Sequence, residues 1–310
     1  MAGAALAASA GLAGCATSPA QTAAARRIPG VSTFRLGSWS VTSFSDGHFE
    51  RPLAEGFVRN AKLAQVHAAL EDAGLPTDRV TIPLNCFLVD TGPRKVLIDT
   101  GTGSFGAPTS GRLMAHMGAA GIDPASIDTV LISHFHGDHI NGLKNADGTP
   151  AFPNAQIMVP AVEQAFWTDE SNASKANGPN KGNFANVKKV FEGLKATPFE
   201  AGKEVAPGIT SMATPGHTPG HVSFVIASGN KSVVVQGDVT NHPGVFMQNP
   251  GWHLMFDNEA QVAEETRKKL YDMAAADRLP IIGYHFPFPS AGYVEKSGTG
   301  YRLVQAHVLS

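Results

Sequence analysis

One short segment limits what this chain can fold into more than any other: an apolar strand followed at once by four metal-binding side chains. Residues 129–133 are apolar enough for a buried strand, and His134-Phe-His136-Gly-Asp138-His139 follows without a break. Side chains alternate along a strand, so His134 and His136 are expected to project from the same side. Asp138 and His139 then stand at the expected start of a helix and point in another direction. Two pairs with different directions fit two adjacent metal ions better than one.

Three further ligand candidates follow other apolar segments, each beside Gly or Pro. His217 lies in the turn TPGHTPGH at 214–221, Asp238 follows Gln-Gly at 236–237, and His285 follows Ile-Gly-Tyr at 282–284. Loops at strand ends are where a rigid scaffold usually carries functional side chains. We therefore expect these three residues to join the first four in one site at one edge of the fold.

From about residue 31 onward, short apolar segments alternate with helical patterns. Segments rich in Val, Ile and Phe, bounded by Gly, Pro, Asn or Asp, predict strands at 39–45, 85–90, 95–99, 129–133, 156–159, 209–213, 222–226, 232–236 and 279–283. Apolar periodicity predicts helices at 59–73, 111–120, 161–167 and 259–276. Strands come both early and late, each set with its own helices. The pattern therefore favours an αββα arrangement of two face-to-face sheets over one doubly wound sheet.

The helix at 259–276 carries the densest basic cluster of the chain, at 267–269. Asn258 is expected to cap this helix, and Glu264 and Glu265 precede Lys268 and Lys269 by four residues. The cluster is therefore interpreted as a solvated helix face. The formal net charge of −2 also indicates no general attraction to nucleic acid. We expect a small-molecule partner and no nucleic acid.

The first 30 residues differ from the rest, being rich in Ala and Gly and without charge before Arg26. Their apolar stretch, too short to span a membrane, ends in Leu-Ala-Gly-Cys15, which resembles a bacterial lipoprotein processing box. An export segment at 1–30, a lipid anchor at Cys15 and a catalytic domain at 31–310 are the expectation. A positive n-region is missing, so an Ala-rich leader on a cytoplasmic protein is the alternative.

The H-x-H-x-D-H run, the histidine of TPGHTPGH, the aspartate of QGD and the final histidine resemble the metallo-β-lactamase superfamily over roughly residues 35–305. The resemblance implies an α/β fold, an αββα sandwich of two mixed sheets with outer helices. It also implies that one metal is bound by His134, His136 and His217, the other by Asp138, His139 and His285, with Asp238 bridging them. By the same resemblance, Asp99 lies behind the ligands, and His221 packs against them or hydrogen-bonds to them.

Imidazole and carboxylate ligands without thiolates suit two divalent ions, Zn²⁺ first, with Mn²⁺, Co²⁺ or Fe²⁺ open. Two such ions can lower the pKa of a shared water toward about 7 and provide a bridging hydroxide near neutral pH. Asp138 and Asp238 are the predicted catalytic residues, with Asp238 orienting the hydroxide and passing a proton to the leaving group. The expectation is a binuclear metal-dependent hydrolase.

The substrate prediction depends on sequence segments that are less specific than the ligand motifs. Residues 81–92, the loop at 104–106 and the ending HFPFP at 285–289 resemble methyl parathion hydrolase and its relatives, which are exported hydrolases of organophosphates and aryl esters. The resemblance implies a phosphotriester or aryl ester substrate, with Phe105, Trp167 and Phe184 lining an apolar leaving-group pocket. Trp167 fits a core position equally well. Relatives of this kind often form homodimers, so a homodimer is left open.

A lactonase of the quorum-quenching, acyl-homoserine lactone type is the nearest alternative, because such enzymes resemble this chain in all seven ligands. They carry a tyrosine that polarises the lactone carbonyl, and this chain has no tyrosine before Tyr271. Redox di-iron members of the superfamily usually have Glu where this chain has His136, and non-catalytic members typically lose ligands. Hydrolysis of an ester or phosphotriester is therefore the first prediction and lactone hydrolysis the second.

Overall fold

The computed structural model describes residues 27–176 and 179–306, together with residues 1 and 3. The strands are β1 (Val31–Leu36), β2 (Trp39–Pro52), β3 (Arg79–Asp90), β4 (Lys95–Ile98), β5 (Thr129–Leu131), β6 (Gln156–Pro160), β7 (Ala196–Phe199), β8 (Glu204–Ala206), β9 (Ile209–Ala213), β10 (Val222–Ser228), β11 (Lys231–Val235), β12 (Pro280–Ile282), β13 (Ala291–Ser297) and β14 (Gly300–Gln305). The α-helices are α1 (Leu63–Asp72), α2 (Leu113–Ala119), α3 (Gly137–Ile140), α4 (Ala161–Thr168), α5 (Glu170–Lys175), α6 (Pro179–Phe191), α7 (Pro243–Phe246) and α8 (Ala260–Ala276).

The strands form two mixed sheets. The first has the order β1-β2-β3-β4-β5-β6-β7, and the second has the order β14-β13-β12-β11-β10-β9-β8. In the first sheet, β4 to β7 run parallel, whereas in the second only β11 and β12 do. Each sheet therefore contains a parallel pair, β4–β5 in one and β11–β12 in the other.

The two sheets pack face to face, as the alternation along β3 illustrates. Phe87 and Val89 enter a core shared with Phe224 and Val233 of the second sheet. Cys86 and Leu88 point the other way, into a core shared with the helices. A fully buried side chain of this kind stabilises the fold by roughly 1.5–3 kcal/mol relative to an exposed one. Cys86 is buried and free, as a small apolar residue would be.

Helices cover both outer faces. Side chains of α2, α4 and α6 pack on the first sheet, through Met117, Trp167 and Val187 among others. Helix α8 packs on the second sheet through Leu270 and Tyr271. The predicted αββα sandwich of two mixed sheets with outer helices is therefore confirmed.

Some local predictions differ from the structure. The sequence pattern did not predict β1, β7, β8, the β13–β14 hairpin or helices α5 to α7, and the strands it predicted at β2 and β3 are too short. Asn258 is not the cap of α8, because the helix begins one residue later, after Glu259, and no side chain caps it. Arg267 is not on a solvated face: it is 2% exposed and lies on the buried side of α8. Lys268 does pair with Glu264 at the surface, as expected.

The predicted export segment lies almost wholly outside the described residues, and Cys15 is among those not described. Among the described residues, no helix combines the length and apolarity that a membrane crossing requires. The lipid anchor, the export and the homodimer therefore stay predictions.

Candidate metal centre

The ligand candidates meet at the carboxyl ends of the two parallel strand pairs. His134 and His136 follow β5, and α3 begins directly after them with Asp138 and His139 in its single turn. On the second sheet, Asp238 follows β11 and His285 follows β12, while His217 lies in the loop between β9 and β10. The seven residues are His134, His136, Asp138, His139, His217, Asp238 and His285. Rigid strands thus hold every loop that carries one of them.

The seven side chains form two groups that fit metal binding, with a third set between them. His134, His136 and His217 are here called the histidine group; Asp138, His139 and His285 are called the carboxylate group. The third set joins His134, His139 and Asp238. Within each set, one ligand atom per residue lies within 4.8 Å of the others. The structure brings together the members that the resemblance implies for each metal, and their role as ligands stays a prediction.

In the histidine group, three imidazole nitrogens lie close together, and they have more lone pairs than N–H protons available to pair with them. His136 Nδ1 lies 3.1 Å from His134 Nε2 and 2.9 Å from His217 Nε2. The far nitrogen of His217, Nδ1, lies 2.9 Å from Asp257 Oδ1 and donates its proton there, which leaves Nε2 as a bare lone pair. Converging lone pairs of this kind fit a bound cation.

Two buried polar atoms, one in the carboxylate group and one on the neighbouring Asp238, have no hydrogen-bond partner. His139 Nε2 and Asp238 Oδ1 lie 3.3 Å apart, without the alignment of a hydrogen bond, and neither has another partner. Asp138 Oδ2 lies 3.7 Å from His139 Nε2 and 3.6 Å from His285 Nε2. Buried polar groups are nearly always satisfied, so these atoms fit a position prepared for a metal ion.

Asp238 faces both groups. Its Oδ2 lies 2.9 Å from His285 Nε2, 3.3 Å from His217 Nε2 and 3.9 Å from His134 Nε2. The side chain is 4% exposed, and the N–H of Asp238 is itself bonded. The structure thus places Asp238 between the two groups, and the bridging role implied by the resemblance stays a prediction.

Electrostatics differ between the two groups. Burial lowers the pKa of His134 and His136 well below the usual value, and neighbouring histidines lower it further. Burial acts in the same direction on His139, but Asp238, Asp99 and Asp138 outweigh it and raise the pKa well above the usual value. Burial would raise the pKa of Asp238, yet His285 and His139 hold it well below its usual range.

Asp99 stands behind His139, where the sequence places it. It follows β4 and adopts φ 58°, a left-handed conformation that is strained for a residue with a side chain. Its Oδ2 lies 2.8 Å from His139 Nδ1 and accepts from the Ser133 hydroxyl at 2.8 Å. Its Oδ1 accepts from the Ser133 N–H. The carboxylate thus fixes the ring so that Nε2 turns towards the ligand cluster.

His221 supports the backbone of Asp238. Its Nδ1–H donates to the carbonyl of Thr214 at 2.9 Å, and its Nε2 accepts from the Asp238 N–H at 2.9 Å. Burial, together with the neighbouring His217, lowers the pKa of His221 to about 3, which keeps Nε2 free to accept. The predicted hydrogen-bonding role behind the ligands agrees with these contacts.

Asp257 and Arg267 are parts of the site that the sequence did not reveal. Asp257 is 1% exposed and contacts His217, while Arg267 NH2 lies 3.6 Å from Asp257 Oδ2. Arg267 also donates to the carbonyl oxygens of Val239, Pro250 and Trp252. Nothing in the sequence marked either residue, because Arg267 was interpreted as part of a solvated face and the structure shows it buried.

A cavity of about 640 Å³ opens over the ligand cluster. Five of the candidate ligands belong to its lining: His136, Asp138, His217, Asp238 and His285. The rest of the lining combines apolar and polar side chains. The apolar ones are Phe49, Ile82, Met255 and Phe256; the polar ones include Arg51, Asn180, Asn183, Asn241 and Asn258. This size and mixture suit a small organic substrate.

The three residues predicted to line the substrate pocket lie elsewhere. Trp167 and Phe184 are 2% and 7% exposed and pack against one another in the core between the first sheet and its helices. Phe105 is exposed, but it borders a separate surface depression beside Lys189. The prediction is corrected: α4 and α6 turn their aromatic residues towards the sheet, and the cavity wall comes from β2, β3 and the loop before α8.

Comparison with known proteins identifies the family. The sequence model described as "Metallo-beta-lactamase superfamily" matches residues 81–285. An N-acyl homoserine lactonase from Bacillus sp is 25% identical over 246 residues, which are 73% of this chain and 90% of that protein. A probable metallo-hydrolase of Mycobacterium bovis is 25% identical over 189 residues, covering 53% of this chain and 59% of that protein.

Solved structures agree in fold. The hydrolase AbOPH, of the beta lactamase superfamily, superposes with a TM-score of 0.84 at 27% identity over 92% of this chain and all of that one. AidC, a dizinc quorum-quenching lactonase, superposes with a TM-score of 0.82 at 24% identity, over 89% of this chain and 97% of that one. The chain therefore belongs to the metallo-β-lactamase superfamily and is a metal-dependent hydrolase.

Proposed function

We propose that this chain hydrolyses lactones of the acyl-homoserine lactone type at a binuclear metal centre formed by the histidine and carboxylate groups. The observation that carries the proposal is the complete ligand cluster, five of whose members line a cavity that also contains apolar side chains and several asparagines. The similarity to an N-acyl homoserine lactonase over 90% of that protein supports this substrate class. The proposal replaces the phosphotriester as first choice.

The cavity suits a lactone that carries an amide and an acyl chain. Phe49, Ile82 and Phe256 offer a surface for the chain, and Arg51 lies over the Phe256 ring at 5.4 Å. The carboxamide of Asn241 is 4% exposed, lines the cavity, and its Oδ1 has no partner. Because an amide oxygen only accepts, Asn241 Oδ1 is suited to accept a hydrogen bond from the amide N–H of a substrate.

The metals and the residues around them have different roles in the reaction. When bound, two divalent ions supply Lewis-acid polarisation and a nucleophile near neutral pH. Asp238, held as a carboxylate between both groups, is placed to accept a proton and return it to the leaving oxygen. Asp138 is 18% exposed and lines the cavity, so its carboxylate meets the substrate side of the centre. Zinc is the proposed metal because the ligands are imidazole and carboxylate.

An aryl ester or phosphotriester, as for methyl parathion hydrolase, is the second candidate. Tyr284 is the tyrosine nearest the ligands, but it is buried, and its hydroxyl donates to the carbonyl of Asp138. Among the described residues, no tyrosine lines the cavity to polarise a lactone carbonyl. This observation favours a substrate that does not need one, and the aromatic wall suits an aryl leaving group.

One substrate panel separates the candidates. The zinc-loaded full chain is assayed with an acyl-homoserine lactone, methyl paraoxon and 4-nitrophenyl acetate. His136→Ala removes a ligand, and His67→Ala on α1 serves as the control histidine outside the cluster. We expect the lactone to give the highest kcat/KM, with turnover lost only in His136→Ala. Preference for methyl paraoxon or 4-nitrophenyl acetate would favour the second candidate, and no turnover of any of the three would contradict both.

Export is proposed separately, on the sequence of residues 1–30 alone. Expression of the full chain in a bacterial host, followed by fractionation, tests it. Labelling with a fatty-acid probe that depends on Cys15 would support a lipoprotein, and an unlabelled cytoplasmic chain would contradict it. Gel filtration with light scattering tests the homodimer.

A further inference from the structure

Glu163 is a buried charge that neither the ligand set nor the cavity explains. It lies in the first turn of α4 and is fully buried, yet it belongs to neither metal-binding group. Burying a carboxylate is costly unless hydrogen bonds satisfy its oxygens. The partners of Glu163 therefore indicate what it does.

The carboxylate of Glu163 joins two loops. Its Oε2 accepts from the Phe135 N–H at 3.0 Å, and its Oε1 accepts from the Gly220 N–H at 2.8 Å. Phe135 stands between His134 and His136, and Gly220 stands between His217 and His221. One side chain thus spans the two chain segments that supply every nitrogen of the histidine group.

Two further contacts restrict the positions of the segments that Glu163 joins. The Phe135 carbonyl accepts from Asn183 Nδ2 of α6 at 3.0 Å, so the residue between His134 and His136 is held through both its N–H and its carbonyl. A Cβ on Gly220 would lie 2.3 Å from the backbone nitrogen of Glu163, so only glycine allows this approach to α4. The link therefore fixes distance as well as direction.

The partners also determine which chemical form of the side chain fits. Phe135 and Gly220 offer backbone N–H groups, and Trp167 adds its indole N–H to Oε2 at 2.7 Å. All three are donors, so a carboxylate, which only accepts, satisfies them. In a glutamine, an NH₂ group would replace one of the two carboxylate oxygens. That NH₂ would face a backbone or indole N–H, so a buried donor would be left unpaired.

We propose that Glu163 is a positioning residue that holds the His134–His136 segment and the His217 loop at the separation a metal ion in the histidine group requires. The inference depends on the metal assignment proposed above and not on the substrate. Loss of this link is expected to weaken one metal site and leave the other intact.

Metal affinity of the full chain tests the inference without any substrate. Co²⁺ and Zn²⁺ are titrated against a competing chelator for wild type, Glu163→Gln and Glu163→Asp; aspartate keeps the charge but is too short to reach both loops. Asp46→Asn is the matched control, because Asp46 is a fully buried carboxylate that also accepts backbone N–H bonds, from Thr102 and Leu113, and contacts no ligand. Thermal unfolding reports the structural cost of each variant.

We expect Glu163→Gln to weaken one metal by about 10- to 100-fold and to change the visible spectrum of bound Co²⁺, with the second metal within about threefold of wild type. Glu163→Asp should weaken the same metal, and it carries the test if the glutamine variant folds poorly. Asp46→Asn should lower the unfolding temperature without changing either affinity. Unchanged affinities in a folded Glu163 variant, or equal weakening of both metals, would overturn the inference. A wild-type chain that binds no metal would overturn the metal assignment as well.

Discussion

The histidine group and the carboxylate group lie side by side but differ in their electrostatic surroundings. In the histidine group, burial and mutual repulsion lower the pKa of His134 and His136. In the carboxylate group, burial is outweighed by Asp238, and the pKa of His139 and of His285 is raised. The same residue type is thus favoured in its neutral form on one side and in its charged form on the other.

This difference shows that neighbouring carboxylates, more than burial, decide the state of these histidines. A neutral imidazole is ready to bind a cation, whereas a protonated one must release its proton first. Asp238 belongs to both surroundings, and Asp257 and Asp99 each support one histidine of one group. A change at Asp238 should therefore affect both groups, whereas a change at Asp257 or Asp99 should affect only one.

Removing the shared carboxylate should have the largest effect. Asp238→Ala takes away the oxygens that face His217, His139 and His285. We expect kcat/KM to fall by at least about 10³-fold and the affinity for both metals to decrease. Steady-state kinetics and metal analysis of the folded variant measure this. Loss of only one metal would show that Asp238 serves one group alone.

Asp257→Asn and Asp99→Asn form a matched pair that separates the groups. Each keeps the shape of the side chain but weakens the bond to one ligand, His217 or His139. Affinity for one metal should fall by about 10- to 100-fold in each variant, and a different metal in each. Chelator competition measures both affinities. If the two variants affect the same metal, the division into two groups is wrong.

A substitution of Gly237 tests the contact between His221 and the backbone next to Asp238. Gly237 adopts φ 58°, and a Cβ there would lie 2.6 Å from His221 Nε2. Gly229 has a similar φ of 63° with nothing within 4 Å, so Gly229→Ala is the control for backbone strain alone. Gly237→Ala should lower the free energy of unfolding by about 2 kcal/mol more than Gly229→Ala, since His221 must move. Equal losses by urea denaturation would exclude a specific role for the contact.

His242 tests how burial and the charge of His285 act on a histidine outside both groups. Burial, together with His285, lowers its pKa to about 4, and Nδ1 accepts the Gly244 N–H that caps α7. The unfolded chain takes up a proton near pH 6.5, before the folded chain does, so the contribution to stability is present above pH 6.5 and is lost as pH falls towards 4.

The measurement compares metal-free wild type with His242→Asn, which keeps an acceptor but does not titrate. Between pH 7.5 and pH 5, wild type should lose about 2 kcal/mol more unfolding free energy than the variant. Parallel pH curves from urea denaturation would contradict a depressed pKa for His242.

The candidate ligands could be found in the sequence because their pattern is local. Each lies within a few residues of the end of an apolar strand or in the first turn of the next helix, and strand ends meet at an edge. Asp257 and Glu163 have no such pattern, since each is a single acidic residue whose role depends on a loop far along the chain. Glu163 within the apolar segment AVEQAFW, four residues before Trp167, was the available signal of a buried pair.

Substrate contacts were harder to predict than ligands. Aromatic residues of α4 and α6 have the same sequence character whether they face a cavity or a sheet, and here they face the sheet. The cavity wall includes Phe49, on a part of β2 that the sequence reading left out, and Phe256, in a loop without periodicity. The β13–β14 hairpin was missed although Ser-Gly-Thr-Gly at 297–300 marks its turn.

The most direct test of the account is the metal content of the full chain. Wild type and His136→Ala are reconstituted with zinc, and unbound metal is removed by desalting. The zinc content per chain is then measured by inductively coupled plasma mass spectrometry. We expect about two zinc ions per wild-type chain and about one in His136→Ala, because only the histidine group loses a ligand. A wild-type chain that holds no metal after reconstitution would contradict it.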